Sequence, residues 1–123
     1  MGLVFEKVCM DYLTERNAKG ELPILFTSIG RWWGTDSVTR KQVEIDILAN
    51  DGKEYLIGEC KWRNEKLDLS VFQTLKEKAD VFSKNRDRTW FVLFSKSGFT
   101  QAVIEEAEKN NSLILVDMNE LMI

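Results

Sequence analysis

Residues 43–62 read VEIDILANDGKEYLIGECKW, and the fold turns on how they pair. Asp51-Gly52 falls between two segments that alternate apolar and polar residues. That is a strong hairpin signal, because tight hairpin turns need residues that tolerate positive φ. With Asp51 and Gly52 as the turn, Ile47 faces Leu56, Ile45 faces Gly58, Val43 faces Cys60 and Lys41 faces Trp62, a nearly continuous apolar face. The other face pairs Leu48 with Tyr55, Asp46 with Ile57, Glu44 with Glu59 and Gln42 with Lys61. Like charges directly opposed on a sheet are destabilising. Acids placed there either stand in open water or hold a cation.

Working outward, the spacing of Val4, Phe5, Val8, Cys9, Tyr12 and Leu13 predicts a helix over 3–18 that stops at Gly20, with Glu6 at the edge of the apolar stripe. Residues 24–33 read as a strand ending in Gly-Arg-Trp-Trp-Gly, whose adjacent tryptophans point to opposite faces. Residues 35–40 are a polar loop. After the hairpin, 67–83 reads as a helix capped by Asp68 or Ser70, with Val71, Phe72, Leu75, Ala79 and Phe82 inward. Lys84 to Arg88 is a basic connector. Thr89 to Ser95 is an apolar run suited to a strand buried on both faces and parallel to its predecessor. A helix over 100–110, with Ala102, Val103 and Ala107 inward, a strand over 112–116 and a terminal turn over 117–122 complete the chain. The expected fold is an α/β sandwich around a mixed sheet, a meander followed by right-handed parallel crossovers, in one domain spanning 1–123.

Composition narrows the chemistry. Apolar content of 44% and charged content of 30% are those of an ordinary globular protein. There is no long apolar run, and the first residues read as neither a signal peptide nor a myristoylation site, so a cytoplasmic protein without a membrane partner is expected. The two cysteines, Cys9 and Cys60, fall at inward positions and are expected to be reduced buried thiols. A net charge of −3 argues against nucleic-acid binding by bulk charge alone. The absence of histidine removes Ser-His catalysis and imidazole bases. No P-loop is present, so the chain by itself is not an ATPase.

What remains is carboxylates, lysine and an oxygen-loving metal. Glu59 and Lys61 share a face of one strand, Cys60 turns to the core, Asp46 lies on the neighbouring strand, and Glu6 comes from a helix that must pack on this sheet. Carboxylates converging with a lysine suit metal-assisted phosphodiester hydrolysis. Mg²⁺, or Mn²⁺ in its place, needs only a few protein oxygens because it retains waters. On this reading Asp46 and Glu59 are ligands, the Cys60 carbonyl completes the set, Glu6 reaches the metal directly or through water, and Lys61 is the catalytic cation. Glu44 is left undecided. Arg31, Arg40, Lys41, Arg63 and the 84–88 connector are candidate phosphate contacts.

Glu6 on a leading helix, Asp46 in Val-Glu-Ile-Asp, then Gly-Glu59-Cys60-Lys61-Trp and an αβ tail resemble the PD-(D/E)XK nuclease superfamily. The likeness covers residues 3–95. It implies the restriction-endonuclease-like fold with an αβββαβ core, and a metal-dependent nuclease site. Gly30-Arg31-Trp32-Trp33-Gly34, Glu44-Ile45-Asp46 and Gly58 to Trp62 are similar, more narrowly, to the uncharacterised C-terminal domain of archaeal-type AAA ATPases. That resemblance implies an excised domain or stand-alone relative, with an ATPase partner in cis or in trans. Two departures stand out. Ile45 precedes Asp46 where the superfamily motif has proline. Gln73, the accessory glutamine of some branches, is followed at the tyrosine position by Glu77. Three classes stay open: a nuclease acting on DNA; an inactive nuclease fold serving as a DNA-binding or regulatory module for an ATPase; and a homodimerisation domain whose charged face is only surface.

Overall fold

The computed structural model describes residues 2–36, 38–82 and 88–121. Its elements are α1 (Gly2–Ala18), β1 (Ser28–Thr35), β2 (Gln42–Asn50), β3 (Glu54–Lys61), α2 (Leu69–Phe82), β4 (Arg88–Ser95), α3 (Gln101–Lys109), β5 (Leu113–Asp117) and α4 (Met118–Leu121). The strands form one mixed sheet in the order β1-β2-β3-β4-β5. β1 to β3 are antiparallel; β4 and β5 join parallel, each after a helix, as an α/β fold with an αβββαβ core requires. Lys84 to Asp87 of the basic connector lie outside the described residues, as do the side chains of Phe82 and Arg88, and Met122 of the expected terminal turn.

The sheet is covered on both faces. On one, Phe5, Cys9 and Leu13 of α1 pack with Ile47, Ala49, Leu56, Val92 and Phe94. On the other, Phe72, Leu75 and Ala79 of α2 and Val103 of α3 pack with Ile45, Ile57, Phe91 and Leu93. Phe91 to Ser95 is buried throughout, which explains its unbroken apolar run. The helix stripes are narrower than expected. Val4 and Val8 face outward, because α1 buries the row Phe5, Cys9, Leu13, with Met10 and Tyr12 packed beside it. Ala102 is likewise exposed while Val103 is buried.

The first strand begins later than its apolar pattern suggests. Ile24 and Phe26 are buried, yet β1 starts only at Ser28. The Asn17 side chain accounts for this: its amide donates to the Phe26 carbonyl and its carbonyl accepts the Phe26 N–H, both at 3.0 Å. The segment is tied to the end of α1 as a strand neighbour would tie it. Gly20, with φ +70°, turns the chain there.

The hairpin register also differs. Ile47 pairs with Gly58, Leu48 with Ile57, Ala49 with Leu56 and Asn50 with Tyr55. The turn therefore extends beyond Asp51-Gly52. Asp51 Oδ1 accepts the N–H groups of Lys53 at 2.9 Å and Glu54 at 2.8 Å, closing a longer loop that two residues cannot close. The shift is by two residues, so β3 keeps its faces: Leu56, Cys60 and Trp62 toward α1, Ile57 toward α2. The opposition of Glu44 and Glu59 is lost; Glu44 instead pairs with Trp33 of β1.

Candidate functional site

Asp46 stands at a break in the sheet. The β1–β2 ladder pairs Gly30 with Leu48 and then Trp32 with Ile45, so the single residue Arg31 opposes both Asp46 and Ile47. This bulge splits the apolar face expected of the hairpin: Ile47 packs toward α1 and Ile45 toward α2. Bulges re-aim side chains and end pairing, and both happen here. The β2–β3 ladder stops at Ile47 and Gly58. Beyond it the Asp46 Oδ2 accepts the backbone N–H of Cys60 at 3.0 Å, in the place of a ladder partner.

Glu59 follows Gly58 on the α2 side of β3 and is only 7% exposed. A Cβ on Gly58 would lie 2.9 Å from Val92 Cγ1 and 3.3 Å from Ile47 Cβ, so glycine is what lets β3 sit this close to its neighbours. Lys61 Nζ lies 3.4 Å from Glu59 Oε1, and Lys78 Nζ of α2 lies 3.5 Å from Oε2. Oε2 is buried without a hydrogen bond. Burial, and next the charge of Asp46, push the Glu59 carboxyl above the usual range, against the pull of Lys78 and Lys61. Asp46 thus adds to the effect of burial on Glu59.

Glu6 belongs to the other flank. Its carboxylate is paired with Arg31, whose guanidinium is held above its usual pKa first by that hydrogen bond and more weakly by Asp46 and Glu44. Arg31 therefore links the helix glutamate to the strand aspartate and is committed to acids. Cys60 turns toward α1 as expected; a hydrogen bond with Cys9, then burial, push its thiol up, and both cysteines are free. Among the described residues no three carboxylate or thiolate side chains converge into a group that could hold a metal ion. Glu6 and Arg31 lie on the α1 flank; Glu59, Lys61 and Lys78 lie on the α2 flank; Asp46 is between them.

Of the remaining candidates, Lys41 and Glu44 line a cleft between α2 and the start of β2, and Arg63 lines a second cleft over Glu59 and Lys61. Arg40 is exposed in the β1–β2 loop with φ 61° and borders neither cleft. Gln73 is exposed and borders neither.

The residues that build this arrangement, from Glu6 through Lys78, lie within residues 1–81, which match the family DUF234. The chain belongs to DUF234, archaeal and bacterial proteins of unknown function. An uncharacterized protein of Methanocaldococcus jannaschii, MJECL04, is 30% identical to this DUF234 chain over 124 residues, covering 98% of the chain and 25% of the relative. The crystal structure of a protein of unknown function, AF1548, superposes with a TM-score of 0.63 at 14% identity, covering 95% of this chain and 64% of that one. At that identity the likeness shows the fold alone. The DUF234 chain thus spans a minor part of its curated relative. No helix among the described residues is long and apolar enough to cross a membrane.

The residue that sequence reasoning missed in this DUF234 chain is Lys78. A signal existed: Lys78 falls seven residues after Val71 and three after Leu75, on the flank of the inward stripe of α2. A lysine there either snorkels outward or finds an acid on the sheet. Here it finds Glu59.

Proposed function

We propose that this chain is a metal-dependent nuclease domain hydrolysing DNA phosphodiester bonds at the β2–β3 site. One observation carries the reading: the Asp46 carboxylate is hydrogen-bonded to the backbone N–H of Cys60, the residue that follows Glu59, with Lys61 beside Glu59. The repulsion between two acids placed so, one of them buried, costs the fold stability that a bound cation would offset.

The residues fit Mg²⁺ or Mn²⁺ by the chemistry of their donors. They are hard oxygens, and Glu59 Oε2 is a buried acceptor that lacks a hydrogen bond. Asp46, Glu59 and the Cys60 carbonyl would hold the ion, with Glu6 reaching it only by giving up Arg31. The bound ion supplies Lewis acidity and a more acidic water. The chain's own residues do the rest. The Asp46–Cys60 hydrogen bond fixes the aspartate against β3. Lys61 presents its ammonium on the same face as Glu59, where it offsets negative charge developing on a phosphoryl group and orients water. The resemblance to PD-(D/E)XK nucleases and to the C-terminal domain of AAA ATPases supports this assignment and makes an ATPase domain, in cis or in trans, the expected partner.

A second reading has its own support. Every acid of the constellation is already engaged, Glu6 by Arg31, Glu59 by Lys61 and Lys78, Asp46 by the Cys60 N–H. An inactive nuclease fold that binds DNA or regulates an ATPase would retain such pairing. Trp33, 60% exposed on edge strand β1, fits a dimer contact on the third reading.

Single-stranded, duplex and branched DNA incubated with the chain and Mg²⁺ or Mn²⁺ tests the first reading. Cleavage is expected, with Lys61→Ala lowering it by about a hundredfold or more. No cleavage with either ion, or cleavage indifferent to Lys61→Ala, overturns it.

A further inference from the structure

Two clefts adjoin along α2. One, of ≈ 500 Å³, lies between α2 and the start of β2 and includes Lys41. The other, of ≈ 250 Å³, opens over Glu59 and Lys61 and includes Arg63. Thr74 and Lys78, one helical turn apart, line both, so the clefts meet at these two residues.

Lys78 is the cation at that junction. Its side chain is 24% exposed, and its ammonium is 3.5 Å from Glu59 Oε2, an oxygen that has no hydrogen bond. The pairing is a loose electrostatic contact, since a charge-assisted hydrogen bond is much shorter. Glu59 is meanwhile held at its other oxygen by Lys61. Lys78 can therefore turn from Glu59 to a stronger anionic acceptor in the clefts, leaving Lys61 to pair with the carboxylate. The linings restrict what that anion is. Among the described residues neither cleft is lined by an aromatic side chain that would give a base a stacking platform. Among the described residues the two linings interleave Lys41, Lys61, Arg63 and Lys78 with Asp36, Glu44, Glu59, Asp68 and Glu77, so an anion meets single cations and not a broad basic surface. Single cations set apart in adjoining clefts, without stacking groups, suit the separate phosphates of a phosphodiester backbone.

We infer that Lys78 seats a backbone phosphate of a nucleic-acid strand lying along α2, between Lys41 and Arg63. The inference takes its ligand from the nuclease reading, but it concerns binding and does not require cleavage. Glu59 holds the lysine in place until the strand arrives. Contact is to the backbone, so binding is independent of sequence.

The test is fluorescence anisotropy of short labelled DNA of mixed sequence with the full chain, using Ca²⁺ in place of Mg²⁺ to suppress cleavage. Lys78→Met is expected to weaken binding about tenfold and to lower the slope of log affinity against log salt by about 1. Lys78→Arg keeps affinity within about twofold. Lys109→Met, which removes the same charge from exposed α3, leaves it unchanged. Lys41→Met and Arg63→Gln, both at exposed positions, weaken binding severalfold and test the groove should Lys78→Met fold poorly. Wild-type chain that does not bind, or Lys78→Met and the two end variants binding like Lys109→Met, overturns the inference. DNA binding that depends on Lys78 in a chain that never cleaves sustains it while the nuclease reading falls. Cleavage and binding both indifferent to Lys78, Lys41 and Arg63 is the reverse.

Discussion

The carboxylate of Asp46 accepts the backbone N–H of Cys60 at 3.0 Å. A side chain of β2 thus fills the hydrogen bond that the β2 main chain ceases to make once its ladder with β3 ends at Ile47 and Gly58. The bulge opposite Arg31 provides the extra residue, and the acid it aims is bonded to the residue that follows Glu59. On the proposed function, structure and chemistry rest on the same carboxylate.

Asp46→Ala and Asp46→Asn should separate those roles. The alanine variant leaves the Cys60 N–H without its acceptor, at a cost of about 1–3 kcal/mol. The asparagine variant retains a carbonyl oxygen for that bond and should unfold close to wild type. On the proposed function both lose cleavage. Urea unfolding beside a cleavage assay makes the comparison; equal stability of the two variants would show that the hydrogen bond contributes little.

Glu59→Gln is expected to stabilise the protein at neutral pH. Burial, then Asp46, raise the Glu59 pKa, so the folded chain binds the proton more tightly than the unfolded one. Ionisation therefore lowers stability as pH rises from the ordinary value of 4.5 through the higher folded pKa, and below 4.5 the cost vanishes. The glutamine variant should melt a few degrees higher at about pH 7 and match wild type near about pH 4. Lower stability of the variant at neutral pH would mean that Lys61 and Lys78 more than offset burial.

Gly58→Ala should destabilise by about 1–3 kcal/mol. The added carbon meets Val92 Cγ1 at 2.9 Å and Ile47 Cβ at 3.3 Å, both of buried core residues, so β3 must move one residue ahead of Glu59. Chemical denaturation measures the loss, and reduced cleavage in the folded fraction reports the displaced carboxylate. A variant as stable as wild type would show that Val92 relaxes freely.

Asn17→Ala removes both hydrogen bonds to the Phe26 backbone. About 1–3 kcal/mol should be lost, because the Phe26 N–H and carbonyl are left without these partners. Limited proteolysis should then cut within 20–27 before the sheet unfolds. Protection equal to wild type would assign the hold on this segment to Ile24 and Phe26 alone.

Element order, the doubly buried β4 and the shared face of Glu59 and Lys61 were all legible in the residue pattern, because periods of two and of 3.6 and the turn chemistry of Asp51-Gly52 are local properties. Three features were not. The register shift escaped because a two-residue slip preserves every side chain's face, so alternation fits both pairings equally. The bulge at Asp46 escaped because it depends on what β1 sets opposite, and nothing local to 43–48 marks it. The pairings of Glu59 with Lys78 and Glu6 with Arg31 escaped because they join elements far apart in the chain, and only the packing of α2 and α1 on the sheet decides which charges meet. The residue pattern alone set which acids and cations the chain can offer; the fold chose which acid stands next to which cation, since that depends on long-range packing that no local period encodes.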